Sequence, residues 1–448
     1  MEIEECKNYK KKYSKYGIES HFETLFTYEE LDEKISNITC DIKKHNKNIP
    51  DIIKNTKVYT KLNNPKYLLS DISIKNTLDH FWYRDFGGWL FISILNNKID
   101  KLYSPYNIKF TNNWSHLLKP FNIHKYLKSK YKYFNNNQNI KPFNKFNNNG
   151  CLINMIDYNA MPQTYQLEFI NMLSELLKHK TIKDTCFIFS TKDFPALSLT
   201  GDKWIHPNQE IKIYDSHIPV FSQSTTDNHL DIPVPCDMDW KIVSQKAYPE
   251  SCDVFNENAI PNINWNDKIE IAFFRGSATG CYFDDRNPRI KVHRLSQKYP
   301  DILDAGIIFF ANRDKIENGV ITHHKMYNNS DIILKKLVPM IEQAKYKYII
   351  NIKGNSAAYR LPYLFYLKSV VIIVETKYKL WFENLLVPFE HYIPVKEDLS
   401  DLIEKINWLK QNDNKAKEIA TNGYNLVKNY IHNKNNIFDY LTYCINSI

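Results

Sequence analysis

Between residues 269 and 374 short, nearly uninterrupted apolar runs alternate with amphipathic stretches, and few folds accept that pattern. The runs 269–274 (IEIAFF), 305–310 (AGIIFF), 348–352 (YIINI) and 369–374 (SVVIIV) predict strands buried on both faces. Helices are predicted between them at 288–298, 332–343 and 356–367, and again at 399–409 and 416–430. Strands of this kind separated by helices form a parallel sheet covered on both sides. The first half carries a weaker version of the alternation. Residues 89–95 (WLFISIL), the turn 96–98 and residues 99–103 predict a hairpin. An amphipathic helix follows at 164–178, with Leu167, Ile170, Leu173, Leu176 and Leu177 on one side, and then a buried strand at 186–190. The expectation is an α/β protein with two Rossmann-like domains, 61–245 and 246–430, and a cleft between them. A Lys-rich helical extension, 1–60, precedes them and a tail, 431–448, follows. Residues 135–150 (NNNQNIKPFNKFNNNG) read as a low-complexity loop.

Seven arginines stand among 59 basic residues, and four of them fall within 275–294. Guanidinium is planar and forked, so it grips a phosphate through two parallel hydrogen bonds where lysine offers a point charge. In open α/β sheets the ligand sits outside the carboxyl ends of the strands. Arg275-Gly276-Ser277 follows the first strand of the second domain, and Lys353-Gly354-Asn355-Ser356 follows the third. Ser356 suits a helix N-cap, with Arg360 just over one turn into the helix, and such a terminus attracts anions. Neither a Walker Gly-Lys-Ser/Thr nor a G-x-G-x-x-G pattern is present. A diphosphate held by loose turns and arginines fits this placement; chance placement with ordinary ion pairs is the alternative.

A net charge of +9 is thin over 448 residues. The stretch 125–133 (KYLKSKYKY) reads as a solvated helix face, with a nucleic-acid patch as the other reading, so no nucleic-acid partner is expected. Eight scattered cysteines form no C-x-x-C pair, and the charged N-terminus lacks the apolar core of a signal peptide. The longest aliphatic run, around 370–374, is far short of the roughly 20 residues a membrane helix needs. A cytoplasmic protein with reduced thiols and no membrane span is expected. The excess of Lys, Asn, Ile, Tyr and Phe fits an A/T-rich genome, such as that of a parasite or a large DNA virus.

At several of these places the chain resembles glycosyltransferase family 90, the Rumi-like protein O-glucosyltransferases and their capsule-associated relatives. The matching pieces come in order: 189–195 (FSTKDFP), 218–224 (IPVFSQS) with Asp231-Ile232, 273–280 (FFRGSATG) with Arg289 to Pro300, 345–360 (KYKYIINIKGNSAAYR) and 391–402 (HYIPVKEDLSDL). The resemblance implies a GT-B fold and an inverting transfer of glucose or xylose from a UDP-sugar. It implies no metal and no cofactor beyond the donor substrate, and a protein or glycan hydroxyl as acceptor. It implies Asp193 as the catalytic base. It implies Ser277, Arg289 and the run Gly354, Asn355, Ser356, Ala357, Ala358, Tyr359 and Arg360 as donor contacts, with Arg275 heading the same block. Inverting chemistry needs one carboxylate to take the acceptor proton and cations or dipoles to hold the leaving diphosphate.

Bland readings stand beside these. Asp before Phe-Pro also caps ordinary turns. Asp237-Met238-Asp239 is a D-x-D, a manganese pattern of the other large glycosyltransferase fold, or a plain loop. His391 reads as a packed histidine and His323-His324 as a loop pair. The segment 240–269 lacks the Gly-Gly-Pro stretch that contacts acceptor in the animal enzymes, and 104–165 is longer and Asn-rich, so the acceptor stays open. A non-catalytic UDP-sugar or glycan binder is the other functional class.

Overall fold

The computed structural model describes residues 61–70, 89–103, 162–190, 192–199, 214–244, 256–280, 285–310, 314–317, 320–323 and 332–447, with scattered residues between 72 and 80. The extension 1–60, the loop 135–150, the basic stretch 125–133, Arg84, Arg313 and His324 lie outside the described residues.

The first sheet is mixed. Strands β1 (Trp89–Leu95) and β2 (Lys98–Tyr103) form the expected hairpin. Asn96 and Asn97 sit at φ 51° and 58°, the left-handed pair a two-residue type I′ turn requires. Helix α1 (Pro162–His179) leads to β3 (Thr185–Ser190), which pairs antiparallel with β1. Strands β4 (Val220–Ser222) and β5 (Ile232–Pro233) extend the sheet in parallel, giving the order β2-β1-β3-β4-β5. Phe169 of α1 stacks on Phe189 of β3 at 3.8 Å between ring centroids, which seats the helix on the sheet. Helix α2 (Asp237–Ser244) follows β5. The antiparallel hairpin departs from a purely parallel Rossmann sheet.

The second sheet is wholly parallel: β12-β11-β10-β6-β7. Its strands are β6 (Ile269–Gly276), β7 (Leu303–Ile307), β10 (Tyr346–Asn351), β11 (Val370–Val374) and β12 (Ile393–Val395). Strands β8 (Asp314–Glu317) and β9 (Val320–His323) form a separate hairpin. Helices α3 (Pro288–Lys298), α4 (Leu361–Tyr366), α5 (Leu402–Gln411), α6 (Asp413–Leu426) and α7 (Lys434–Asn446) complete the chain. Period-2 burial explains the apolar runs. Phe274, Tyr348, Ile350 and Ile372 point into a core closed by Leu402, Ile406 and Ile419 of α5 and α6. Their neighbours Phe273, Ile349 and Val371 point the other way, into a core shared with Phe91, Phe187 and Phe221 of the first sheet.

Helix α7 lies within the segment expected as a tail. The Tyr440 hydroxyl donates to Pro233 O, Asn446 Oδ1 accepts from Lys183 N at 3.0 Å, and Phe438 lies against Trp240. The last helix therefore packs on the first sheet and the loop leading into β3.

Two expected helices are corrected. Residues 332–340 are irregular, with Ile333 and Leu337 exposed, and only a 3₁₀ turn forms at Ile341–Lys345. Pro339 lacks an N–H and pushes Val338 out of the helical region, so a helix through 343 is blocked. The segment instead lies beside β7, with Lys335 N donating to Ile307 O at 2.8 Å. The helix expected at 356–367 begins only at Leu361, so Ser356 caps nothing and Arg360 stands at the N-cap position. The strand expected at 305–310 ends at Ile307, because its partner β6 ends opposite it at Gly276. Among the described residues no helix is long and apolar enough to cross a membrane.

Candidate active site

Strand order in the second sheet reverses between β6 and β10: the chain builds β6 and β7 outward on one side, then jumps across to β10. That switch point opens a crevice at the carboxyl ends of the two strands. Arg275-Gly276-Ser277 leaves β6 there and the turn 352–360 leaves β10. Asn287 caps α3 by accepting from Arg289 N at 3.0 Å, Pro288 opens the helix, and Arg289 is thereby aimed back at both strand ends.

The arginines divide the work. Arg289 donates from Nε to Lys353 O (2.9 Å), from Nη2 to Ile352 O (2.9 Å), and from Nη1 to Ser277 O (3.0 Å) and Thr279 Oγ1 (2.8 Å). Four of its five N–H groups thus brace the two loops against each other, leaving one for a ligand. Arg360 donates from Nη1 to Arg275 O at 2.7 Å and more weakly from Nη2 to Ile350 O, while its buried Nε has no partner. Both guanidiniums lie beside Phe274, at 5.9 Å and 5.1 Å from its ring centroid. Burial pushes Arg289 down to about 9, with the nearby Arg360 charge adding to it, and burial pushes Arg360 down to about 10. Among the described residues no carboxylate pairs with either, whereas Arg275 pairs with Asp304 and Arg294 with Asp285. Two adjacent, desolvated positive charges without a counter-ion form a site that an anion would stabilise.

Arg275 does not join them. Its side chain lies on Phe273 and donates to Asp304 of β7, so its carbonyl, and not its guanidinium, serves the crevice by receiving Arg360. Ser277 contributes its carbonyl to Arg289. Asn355 Oδ1 accepts from Gly280 N at 3.0 Å, which joins the two loops a second time. Gly354 folds back to Ser356 O through its N–H, Ala358 O accepts from Leu361 N, and Ser356 and Ala357 are buried. Gly354 is required by closeness: a Cβ there would lie 2.6 Å from Thr279 Oγ1 and 3.2 Å from Arg289 Nη2. Gly354→Ala should therefore loosen the Arg289 brace, lowering stability by about 1–3 kcal/mol in urea denaturation. It should weaken anion binding in parallel.

Asp193 is reached from this turn. It lies on the loop after β3 and is exposed. Tyr359 donates its hydroxyl to Asp193 O at 2.6 Å and shares a 3.0 Å bond with Ser224 Oγ. On its other side the loop is held by Asp231, fully buried, which accepts from Ala196 N and Leu197 N, each at 2.7 Å, and from Ser222 Oγ at 2.5 Å. Asp231 stood in the sequence inside a matching segment, but nothing there signalled that it anchors the Asp193 loop 34 residues upstream. Gln223, between Ser222 and Ser224, is buried at 1% exposure with both amide atoms unpartnered. Sequence reasoning missed it as well.

The D-x-D has a different occupation. Asp239 is buried and accepts from Cys236 N (2.9 Å), Trp381 Nε1 (2.9 Å) and His432 Nε2 (2.9 Å). Asp237 pairs with Lys241 at 2.8 Å. His391 accepts from Val387 N through Nδ1, as a packed histidine would.

Comparison with known proteins gives the family. Uncharacterized protein 035R of Invertebrate iridescent virus 3 is 29% identical over 317 residues, covering 67% of this chain and 28% of that protein. Uncharacterized protein 179R of Invertebrate iridescent virus 6 is 28% identical over 450 residues, covering 84% of this chain and 37% of that protein. Protein O-glucosyltransferase 3 of Homo sapiens is 31% identical over 234 residues, covering 52% of this chain and 42% of that protein. The chain spans less than half the length of each of these relatives. The model of glycosyl transferase family 90 matches residues 153–447, a stretch that includes the Asp193 loop, the Arg289 brace and the turn carrying Arg360, and the chain belongs to that family.

Proposed function

We propose that the chain is an inverting glycosyltransferase that moves glucose or xylose from a UDP-sugar to a hydroxyl of a protein or glycan. The observation that carries the reading is a pair of guanidiniums at the β6/β10 switch point, Arg289 and Arg360, with no carboxylate partner among the described residues, Arg360 standing one residue from the tyrosine that holds Asp193. The two sheets act as the lobes of a GT-B enzyme, with Asp193 on the acceptor side and the turn 354–360 on the donor side.

In the reaction the acceptor oxygen attacks the anomeric carbon while Asp193 takes its proton. The bond from that carbon to the diphosphate oxygen breaks, and configuration inverts. Charge grows on the departing diphosphate. Arg360, with Nε and further N–H groups uncommitted, and the remaining N–H of Arg289 meet that charge. They do without a metal what a divalent cation does elsewhere. The unpartnered amide of Gln223, next to Ser224, suits a sugar hydroxyl, which donates and accepts at once. Relatives named protein O-glucosyltransferases support glucose and a protein acceptor.

The test is nucleotide release from UDP-glucose and from UDP-xylose in a chelator, with mass spectrometry of co-expressed acceptors. One of the two sugars should give metal-free release, and product should carry the inverted anomer. Arg360→Ala should weaken UDP binding in calorimetry by about 10- to 100-fold, the worth of one charge-assisted hydrogen bond. UDP affinity unchanged in that variant would remove the diphosphate from this turn.

A further inference from the structure

Sequence similarity puts Tyr359 among the donor contacts, but its hydroxyl is engaged elsewhere. It lies 2.6 Å from the peptide oxygen of Asp193 and 3.0 Å from Ser224 Oγ, two residues beyond β4 of the other sheet. Resting on the transferase reading above, we propose that Tyr359 is a positioning residue that ties the backbone of the base to the donor turn, so that filling the turn sets the base.

The Asp193 loop is fastened unequally. Its far end is fixed within the first sheet, where the Asp231 carboxylate takes two backbone N–H groups. Its near end, at Asp193 itself, is fastened by a residue of the second sheet's turn. That turn also presents Arg360, adjacent in sequence, whose Nε has no partner. A diphosphate that orders Arg360 must order its neighbour, and the phenol passes that order across the cleft to Asp193.

The phenol suits the task because it stays a donor. Burial pushes its ionisation well above the ordinary tyrosine value, hydrogen bonds from Ser224 and Ser356 oppose this, and the Asp193 charge adds to the rise. The hydroxyl therefore stays neutral, and able to donate, around neutral pH. The halves do not depend on this bond alone. Thr225 and Lys379 exchange backbone bonds of 2.9 Å and 2.8 Å close by, and Trp381 reaches Asp239. Loss of the hydroxyl should therefore disturb the base without parting the sheets. The coupling also implies an order of events: donor first, acceptor activation second.

Two readouts on the full chain test this. Tyr359→Phe should lower kcat about 10- to 100-fold, the scale expected when a reacting group is misplaced by about an ångström. Its UDP affinity by calorimetry should stay within about twofold of wild type, since the deleted hydroxyl points at Asp193. In hydrogen exchange, UDP should slow the amides of 192–194 in wild type and leave their exchange unchanged in Tyr359→Phe, while Ala196 and Leu197, bonded to Asp231, stay protected in both. Ser224→Ala, which removes the second partner of the phenol, should show a smaller effect of the same sign. Equal protection of 192–194 by UDP in wild type and Tyr359→Phe would overturn the proposal, as would a loss of UDP affinity that accounts for the whole fall in turnover. A wild type that shows the exchange coupling but transfers no sugar would contradict the transferase reading and leave the coupling intact.

Discussion

Asp193→Asn is expected to cut sugar transfer by about 10²- to 10⁴-fold, the usual worth of a positioned general base. The substitution keeps the shape of the side chain and removes its capacity to take a proton. The loop should not move. Its backbone is held by Tyr359 at Asp193 O and by Asp231 at Ala196 and Leu197, and none of these bonds uses the Asp193 carboxylate. Stability should change little, because the side chain is exposed. UDP affinity should also survive, since the proposed anion site is formed by Arg289 and Arg360 on the other sheet. Nucleotide release and calorimetry on the same sample separate the two quantities. Undiminished transfer would remove Asp193 as the base.

Asp239→Ala should destabilise the fold by about 3–5 kcal/mol, the range for breaking a buried pair by deleting one partner. The carboxylate and the His432 side chain are each 1% exposed. Asp239 takes one N–H from its own helix start, one from Trp381 after β11 and one from His432 just before α7. His432 in turn bonds the Tyr366 hydroxyl at 2.9 Å and stacks on that ring. Deleting the carboxylate leaves three buried donors without an acceptor, two of them from distant segments. Asp239→Asn keeps one acceptor oxygen and should cost less. Urea denaturation followed by tryptophan fluorescence reads both variants, and a loss below about 1 kcal/mol for Asp239→Ala would contradict the account.

What the sequence disclosed follows from the range of each interaction. Four of the five strands of the second sheet are legible because they are buried on both faces, so Phe273 and Phe274, or Ile349 and Ile350, need no polar alternation, whereas the three-residue edge strand β12 is too short to stand out. The hairpin was legible because Asn96 and Asn97 tolerate the left-handed turn that joins its strands. The helices at 332–343 and 356–367 were misread for different reasons. Pro339 breaks the first despite the apolar residues around it. The residues 356–360 have helix-compatible composition, but long-range bonds claim them first: Tyr359 for Asp193 and Arg360 for Arg275.

The site was legible in its parts and not in its wiring. Resemblance named Asp193 and the turn, yet the bond from Tyr359 spans 166 positions and has no local trace. The buried role of Asp239 depends on partners 142 and 193 positions away, so a D-x-D in isolation reads as a metal motif or a loop. The split between Arg289 as brace and Arg360 as the freer cation also appears only once the carbonyls of Ile352, Lys353 and Ser277 are in place.

The central claim is that one cleft holds both the proton acceptor and the leaving-group site. A crystal structure of the full chain with UDP tests it most directly. The account predicts the diphosphate at the 354–360 turn within hydrogen-bond reach of Arg360, and the Asp193 carboxylate on the side where the anomeric carbon would lie. UDP bound elsewhere, or an Asp193 carboxylate turned out of that cleft, would contradict it.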